Sequence, residues 1–558
     1  MKILHISVMR GPNYWSELRK KLIVAKIEVK ETDDQKSAGL IAIGEKLESL
    51  QPALHNLAPY GSILNVVTQV AVEIQCRAGM DCVYHQIHPT ANPEHFILCF
   101  SYTIEKAGIY AAKAAVNLVN ALLADQKYQI EKDIQHLIRI RESHNHDSEN
   151  AKPIPNFPIV AVTGTNGKTT TTRLIAYLVK FAGYSVGFTT TDGIYINDQL
   201  ISIGDCSGSV SAAVVLNDPR VNFAVLECAR GGILRAGLGF DECNVSIVTN
   251  ISGDHLGMDD IETMEQLSRV KLTVPKATAK DGYAILNADD DLVYRMRKFL
   301  SCKIALFSRH PENKRIIKHC NKGGLAAITE NGFFTICKGR EKFRIAAIAN
   351  VPLCHHGKST CMMENVLPGM LTAFIYQLSV DDLEIALKKF HPSPENTPGR
   401  MNVFEFPEFT LMVDYAHNEG GYRELKNYTD QLEVTSKVGI IAAVADRPDA
   451  DIVNMGRLAA TIFDEIIIRH DADNSGRTHE ELNELLLVGI REINPLLPVK
   501  VISNEFNAIK YAITHAKKGD WIFVNAENVY DTLFYINQYK PRALSRPTPQ
   551  HLQRRGVF

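Results

Sequence analysis

The residues best suited to chemistry form one short segment, Gly164-Thr165-Asn166-Gly167-Lys168-Thr169-Thr170, directly after the apolar run 159–162. Glycines let the backbone turn tightly, so that N–H groups and a helix N-terminus point at phosphate oxygens. Lys168 supplies a positive charge for β- and γ-phosphates, and the Thr169 hydroxyl can ligate Mg²⁺. A glycine-rich turn without a ligand is the alternative. The preceding strand, the lysine, the threonines and the following helical segment together favour a phosphate-binding loop.

This loop is shorter than the general phosphate-binding pattern. Only Thr165 and Asn166 separate its first glycine from Gly167-Lys168, where the general pattern has about four residues. The short form resembles that of the Mur ligase superfamily, which includes peptidoglycan-precursor ligases, folylpolyglutamate synthases and the C-terminal half of cyanophycin synthetase. The resemblance implies ATP-dependent formation of an amide bond, with ATP and Mg²⁺ as cofactors.

Further motifs of the superfamily follow in order and imply metal ligands. Glu227 ends an apolar run and matches the family's metal-binding glutamate, which would share the first ion with Thr169. In the segment Asn250-Ile251-Ser252-Gly253-Asp254-His255, the histidine would help to hold a second ion. Lys271 falls where many members carry a carbamylated lysine, an oxygen anion suited to Mg²⁺. The resemblance thus makes Lys168, His255 and Lys271 the implied catalytic residues. A capping acid, a capped turn and a solvated lysine are the ordinary alternatives for Glu227, Asp254-His255 and Lys271.

The same resemblance implies residues for the nucleotide and the substrates. Open α/β sheets bind ligands beyond the carboxyl ends of their strands, and the motifs follow strand candidates. Beyond the loop itself, the implied ATP contacts are Asn365, Arg400 and Asp414, the last two in a C-terminal domain that closes over the nucleotide. The implied substrate residues are Arg230, Gly231, Gly232, His417 and Arg447.

Most of the chain resembles the cyanophycin synthetase family in particular. The matching segments include 10–15 (RGPNYW), 228–235, 398–403 and 456–468. That family carries an ATP-grasp module between its N-terminal domain and its Mur-like half, whereas here a proline-containing linker leads straight to the phosphate loop. The resemblance therefore implies one ligation, between an amino acid and a carboxylate or acidic peptide. Glu419 and the segment 444–449 depart from the family pattern near the acceptor site, so the identity of the amino acid stays open.

Two other classes of function stay open at this point. One is a non-catalytic subunit that binds ATP or a polymer and pairs with a separate ligase. The intact Lys168, Glu227, His255 and Lys271 argue against it. The other is a simple phosphate-loop ATPase or switch, against which the C-terminal motif with Asp414 and His417 argues.

Composition limits the remaining classes. Charged residues make up 22% of the chain, the net charge is −2 and no long basic block stands out, so charge gives no support to a nucleic-acid partner. The eleven cysteines lack CxxC pairs, as expected for free thiols in a reducing compartment. No apolar run reaches the roughly 18 residues of a membrane helix, and Met1 is not followed by a signal peptide. We therefore expect a cytoplasmic protein without membrane contact. Homo-oligomer formation stays open.

Three domains must position these residues. A length of 558 residues favours three or four domains. Two proline-containing linkers, within 141–157 and 391–399, suggest the boundaries. Strand candidates alternate with helical segments in the second and third domains, which predicts mostly parallel sheets covered on both faces. We predict an N-terminal α+β domain over 1–150, a central parallel-sheet phosphate-loop domain of the Mur ligase type over 158–395, and a C-terminal Rossmann-like α/β domain over 399–558.

Overall fold

The computed structural model describes residues 1–16, 21–29, 63–82, 84–147, 157–253 and 256–539. The chain divides into two compact units. The first comprises Met1–Asn350 with Cys361–Lys388, and the second Val351–Thr360 with Lys389–Phe558. Helices and strands are numbered below in chain order within the described residues.

The N-terminal part of the first unit is an antiparallel sheet covered by helices. Its strand order is β1-β2-β4-β3. Alternation along β2 and β4 turns Ile23, Ile27 and Leu98 towards the helices, where they are buried. The strands are β1 (Lys2–Arg10), β2 (Lys21–Glu28), β3 (His85–Pro89) and β4 (His95–Ser101), and the helices are α1 (Ile63–Arg77), α2 (Glu105–Leu123) and α3 (Ile130–Asp147).

The rest of the first unit is built on a sheet of eleven of the described strands, in the order β15-β14-β13-β12-β11-β10-β5-β9-β6-β7-β8. The strands from β13 to β6 in this order are parallel, and antiparallel hairpins extend the sheet at both ends. The strands are β5 (Ile159–Thr163), β6 (Val186–Thr190), β7 (Gly193–Ile196), β8 (Gln199–Ile203), β9 (Phe223–Glu227), β10 (Cys243–Val248), β11 (Thr278–Asn287), β12 (Lys303–Ser308), β13 (Leu325–Glu330), β14 (Phe333–Lys338) and β15 (Glu341–Ala347).

Helices connect the parallel strands of this sheet. Because each crossover returns the chain to the same end of the sheet, the carboxyl ends of β5, β6, β9 and β10 lie along one edge. The helices are α4 (Lys168–Phe181), α5 (Ser209–Leu216), α6 (Arg230–Ala236), α7 (Met264–Lys276), α8 (Asp291–Met296), α9 (Lys314–Cys320), α10 (Thr360–Ile375) and α11 (Val380–Lys389).

The second unit contains a six-stranded sheet in the order β16-β17-β21-β18-β19-β20, in which only the β16–β17 pair is antiparallel. Its core includes Leu411, Ile440, Ile467 and Val524. The strands are β16 (Asn402–Glu405), β17 (Phe409–Asp414), β18 (Lys437–Ile441), β19 (Glu465–Ile468), β20 (Val499–Val501) and β21 (Asp520–Asn525), and the helices are α12 (Glu419–Thr429), α13 (Asp449–Ala460), α14 (His479–Ile493), α15 (Glu505–His515) and α16 (Val529–Asn537).

The predicted fold class is confirmed: a large, mostly parallel sheet lies at the centre and a second α/β unit follows. One detail differs, because α3 continues to Asp147 and the predicted linker from Arg141 therefore begins as helix. Leu137 is buried in the N-terminal core, and the Arg141 guanidinium donates to the Ala78 carbonyl (2.7 Å), so the polar end of the helix is anchored. Within the described ranges, no helix is long and apolar enough to cross a membrane.

Candidate active site

The glycine-rich segment forms a loop between β5 and α4. Gly164 and Gly167 have φ angles of +148° and +85°, which residues with a Cβ rarely adopt. A Cβ at Gly164 would also collide with the Thr249 hydroxyl, and one at Gly167 with the Asn365 side chain. The loop therefore needs glycine at both positions, and its backbone runs directly into the first turn of α4, whose N–H groups lack intrahelical partners.

A neighbouring strand end fixes the shape of this loop. Asn250, which follows β10, accepts a hydrogen bond from the Thr165 N–H through its backbone carbonyl (2.9 Å). Its side-chain oxygen accepts another from the Asn166 N–H (2.9 Å). Lys168 turns back over the loop and donates to the Thr165 carbonyl (2.8 Å). The loop is thus preformed, and the Lys168 amine is hydrogen-bonded to the backbone of the loop itself.

A buried carboxylate lies beside the start of α4. Glu227 ends β9 and is only 2% exposed. Its Oε2 accepts a hydrogen bond from the Thr169 hydroxyl (2.9 Å), and its Oε1 accepts one from the Thr191 hydroxyl (3.0 Å). The two hydroxyls are 3.1 Å apart. Sequence reasoning paired Thr169 with Glu227 but missed Thr191, which the run Thr189-Thr190-Thr191-Asp192 at the end of β6 could have signalled.

A buried charged pair includes Asp192, the residue that follows Thr191. The buried Arg173 of α4 donates to the Asp192 carboxylate, and its guanidinium lies over the Tyr195 ring, 4.5 Å from the ring centre. Tyr195 donates to the same carboxylate (2.7 Å). Burial by itself raises the pKa of Asp192, but Arg173 and these hydrogen bonds outweigh it and keep the pKa below its ordinary value. Asp192 is therefore a fixed anion that anchors the end of β6.

The oxygen cluster fits a divalent cation by its chemistry. Mg²⁺ prefers oxygen donors, often one or two carboxylates completed by water and phosphate. Glu227, Thr169 and Thr191 supply such donors next to the phosphate loop. Among the described residues, no three carboxylate, imidazole or thiol side chains group as metal ligands.

Lys271 approaches the loop from the other side. It lies in α7, is 3% exposed, and donates from Nζ to the Gly164 carbonyl (2.7 Å). This placement excludes the alternative of a solvated surface lysine. Asp254 and His255, the other expected members of this group, lie outside the described residues.

Asn365, expected to contact adenine, lies in α10 with its side chain buried against Gly167. The structure therefore brings it to the phosphate loop, across about 200 residues of sequence. Its contact with the base stays a prediction.

The expected substrate residues Arg230, Gly231 and Gly232 form the start of α6, three residues after Glu227. Gly232 lies against the backbone of Ser207 and Gly208. Arg230 is buried, donates to the Met258 carbonyl, and has Nη1 3.4 Å from Asp259 Oδ2. Arg230 thus has protein partners already, and its contact with a substrate stays a prediction.

In the second unit, Arg400 and Asp414 lie together. Asp414 ends β17, and its Oδ2 accepts a hydrogen bond from the Met401 N–H (2.7 Å). The Arg400 guanidinium lies 5.1 Å from the centre of the Tyr415 ring. Burial raises the pKa of the Asp414 carboxyl to about 6, and Arg400 and the surrounding N–H groups offset this only in part.

The expected residues His417 and Arg447 follow strands of the same sheet. His417 Nδ1 lies 2.9 Å from the Tyr415 carbonyl. Arg447 is buried, with Nε 3.6 Å from Asp446 Oδ1, and its carbonyl accepts a hydrogen bond from Arg477 (3.2 Å).

Sequence reasoning missed a buried arginine in the same unit. Arg469 directly follows β19 and donates to the Asn525 carbonyl from Nε (3.0 Å) and Nη2 (2.8 Å). It also forms ion pairs with Asp471 and with Glu505 (3.1 Å). The Asn525 amide in turn donates to the Ala416 carbonyl, next to His417. A charged residue directly after the apolar run 466–468 was the available signal.

The fold and the loop define an α/β protein of the phosphate-loop class. Family models match three parts of it: "Mur ligase middle domain" over residues 162–349, "Mur ligase, glutamate ligase domain" over 399–528, and "Cyanophycin synthase-like N-terminal domain" over 59–124. The chain therefore belongs to the Mur ligase superfamily, with an N-terminal domain like that of cyanophycin synthases, as its sequence predicted.

Individual relatives agree with this assignment. Cyanophycin synthetase of Geminocystis herdmanii is 42% identical over 383 residues, which is 69% of this chain and 44% of the relative. UDP-N-acetylmuramoyl-L-alanyl-D-glutamate–2,6-diaminopimelate ligase of Listeria monocytogenes is 24% identical over 457 residues, which cover 77% of this chain and 86% of the relative. The chain thus spans less than half the length of the cyanophycin synthetases that it matches.

The fold itself recurs in solved structures. E. coli FolC in complex with DHPP and ADP superimposes with a TM-score of 0.51 and 15% identity, covering 69% of this chain and 89% of FolC. A second structure, E. coli FolC in complex with ADP, also has a TM-score of 0.51 and 15% identity, covering 71% and 97%.

Proposed function

We propose that this chain is an ATP-dependent ligase that joins a carboxylate to the amino group of an amino acid and releases ADP and phosphate. The observation that carries the proposal is the preformed phosphate loop with the buried Glu227 hydrogen-bonded to Thr169 at its end. Membership of the Mur ligase superfamily and 42% identity to a cyanophycin synthetase support the reaction type.

The phosphate loop is the proposed site for the ATP phosphates. N–H groups at a helix N-terminus carry partial positive charge and bind phosphate oxygens. Lys168 has a flexible stem, so its amine can exchange the Thr165 carbonyl for a phosphate oxygen. Asn365 in the first unit, and Arg400 and Asp414 in the second, are the further proposed ATP contacts.

Glu227, Thr169 and Thr191 are the proposed ligands of one Mg²⁺, and His255 with a carbamylated Lys271 the proposed ligands of a second. When bound, Mg²⁺ would neutralise charge on the phosphates. As an ammonium, Lys271 would repel a cation, whereas its carbamate would offer oxygen donors. The position of Lys271 supports this role, because it is buried and its Nζ lies 2.7 Å from the Gly164 carbonyl of the phosphate loop.

The proposed chemistry proceeds in two steps that need little covalent participation of the protein. A carboxylate oxygen bonds to the γ-phosphorus and ADP leaves, giving an acyl phosphate. The amine nitrogen then bonds to the acyl carbon, phosphate leaves with the bridging oxygen, and the nitrogen loses a proton. Catalysis of this kind depends on positioning and on the exclusion of water. Arg230, Gly231, Gly232, His417 and Arg447 are the proposed substrate residues, with an amino acid and a carboxylate or acidic peptide as substrates.

The test is a screen for ADP release with acidic amino acids and short acidic peptides as donors and the common amino acids as amines. We expect release only when a donor and an amine are both present. Hydroxylamine in place of the amine should yield a hydroxamate, since it captures acyl phosphates. ADP release that needs no amine would identify an ATPase instead. ATP binding without turnover for every combination of donor and amine would favour a non-catalytic subunit.

A further inference from the structure

A strained turn lies close to the proposed site in the first unit. The Ile261 N–H donates to the Met258 carbonyl (3.1 Å), and the Gly257 N–H donates to the Ile261 carbonyl (2.9 Å). Between them, Asp259 and Asp260 have φ angles of +52° and +62°. Side-chain-bearing residues adopt this conformation at a cost, so two in succession persist only where neighbours hold them.

One set of contacts that fixes this turn comes from Arg230, at the carboxyl end of the central sheet. Arg230 donates to the Met258 carbonyl and has Nη1 3.4 Å from Asp259 Oδ2. Arg230 is the first residue of α6 and lies three residues after Glu227. The turn and the Arg230 side chain therefore fix one another, and any shift of the turn moves a guanidinium next to the carboxyl edge of the sheet.

A second contact that fixes the turn comes from the N-terminal domain. Lys26 lies on β2, and its Nζ is 2.7 Å from Asp260 Oδ2. The two side chains are only 28% and 18% exposed, so solvent screens this ion pair less than one at the surface. It joins residues 234 positions apart in the sequence.

The same domain also holds the far end of α6. The Trp15 indole N–H donates to the Leu234 carbonyl (3.0 Å). Just beyond the helix, the Leu238 N–H donates to the Pro12 carbonyl (3.1 Å) and the Gly239 N–H to the Arg10 carbonyl (2.9 Å). A helix of seven residues has little stability of its own, so these contacts at its end matter for its position. They also give a structural role to the 10–15 segment.

We propose that Lys26 is a positioning residue of the ligase site: through Asp260 and the 258–261 turn, the N-terminal domain fixes the Arg230 side chain at the start of α6. This inference rests on the proposed function. Lys26 touches neither the phosphate loop nor the Glu227 cluster in any described contact. Its loss therefore acts on kcat through Arg230 rather than on ATP binding.

The experiment compares Lys26→Met, Lys26→Arg, Asp260→Asn and the Lys26→Met/Asp260→Asn double variant in the full chain. Asparagine tolerates a positive φ, so Asp260→Asn removes the charge without new backbone strain. Lys342→Ala is the matched control, because it breaks the pair between Lys342 on β15 and Glu330 on β13 (2.6 Å) in the same unit.

Two measurements are made: hydrogen exchange at the Gly257 and Ile261 amides without nucleotide, and kcat and KM for ATP. We expect Lys26→Met and Asp260→Asn each to speed exchange about fivefold and to lower kcat about tenfold, with KM for ATP within about twofold. The double variant should be no worse than either single variant, and Lys26→Arg should retain most of the activity. Unchanged exchange in Lys26→Met, or strictly additive losses, would overturn the inference. The exchange experiment needs no turnover, so it decides the positioning role even if the proposed ligase activity fails its own test.

Discussion

The Thr191 hydroxyl lies 3.0 Å from Oε1 of Glu227, while Thr169 binds the other oxygen of the same carboxylate. One buried acid thus joins the end of β9, the loop after β6 and the first turn of α4. A carboxylate in this position is held by two hydroxyls that can themselves ligate a cation. This relationship makes Thr191 a candidate for the metal site that the sequence motifs do not include.

Thr191→Val tests that role with almost no change in side-chain volume. We expect the Mg²⁺ concentration for half-maximal ligation to rise about tenfold, because one oxygen donor and one hydrogen bond to Glu227 are lost. Thr329→Val is the control, since its hydroxyl donates to the Arg309 carbonyl (2.6 Å) on the far side of the same sheet. An unchanged Mg²⁺ requirement in Thr191→Val would remove Thr191 from the site.

Lys168→Ala should reduce ligation at least about a hundredfold while the protein stays folded, because it removes one positive charge from the proposed phosphate site. The loop keeps its shape through Asn250, so thermal unfolding should be close to that of the wild type. Lys180→Ala, at the opposite end of α4, is the control and should retain activity. Wild-type turnover by soluble Lys168→Ala protein would be incompatible with the proposed role.

Lys271→Ala should cripple ligation, and formate or acetate should partly restore it by supplying the missing oxygen ligand. The control is Lys276→Ala, which removes an exposed lysine from the same helix. Activity is measured in CO₂-depleted buffer with and without the added carboxylate. Near-normal activity of Lys271→Ala without any addition would show that Lys271 is not a metal ligand.

The pKa of Asp414 predicts a pH dependence of stability in the second unit. Its folded value of about 6 lies above the ordinary 3.8, so the folded state keeps this proton when the unfolded chain has lost it. Stability from this group is therefore complete below about pH 4 and lost as the pH rises through about 6, a change of about 2 to 3 kcal/mol. Asp414→Asn should remove this decline. The free energy of unfolding of the variant, relative to that of the protein with Asp414, should therefore increase with pH.

Trp521 provides the measurement for Asp414. The chain has two tryptophans, so Trp15→Phe leaves Trp521, buried in the second unit, as the fluorescence reporter of denaturant unfolding. The free energy of unfolding is compared between Trp15→Phe and Trp15→Phe/Asp414→Asn from about pH 4 to pH 8. A constant difference across this range would contradict the prediction.

Arg469→Met should destabilise the second unit by about 3 kcal/mol, because it leaves Glu505 buried without its cation. Burial already raises the pKa of Glu505, which Arg469 offsets only in part. Adding Glu505→Gln should recover part of the loss, since the uncompensated charge is then gone. The same Trp521 signal reports both variants, and a single variant as stable as the wild type would refute the prediction.

The central strands of the fold could be predicted from local sequence signals. Apolar runs such as 159–162 and 521–524 lie in buried strands, because central parallel strands are covered on both faces and need continuous hydrophobicity. The predicted start of the first linker at Arg141 was wrong, because the helix continues to Asp147. The polar composition from Arg141 onwards predicts a linker, and the hydrogen bond from Arg141 to the Ala78 carbonyl, which anchors the helix there, is a tertiary contact.

By itself, the sequence determined the phosphate loop, because glycine conformations and a neighbouring lysine and threonine act within a few residues. Tertiary structure decided what surrounds it. Thr191 meets Glu227, Lys271 reaches Gly164 across 107 positions, and Lys26 reaches Asp260 across 234. Such pairs depend on the strand order β10-β5-β9-β6 and on the docking of the N-terminal domain. Local patterns point to some of these residues but not to the pairings, which form only when the tertiary fold brings distant segments together.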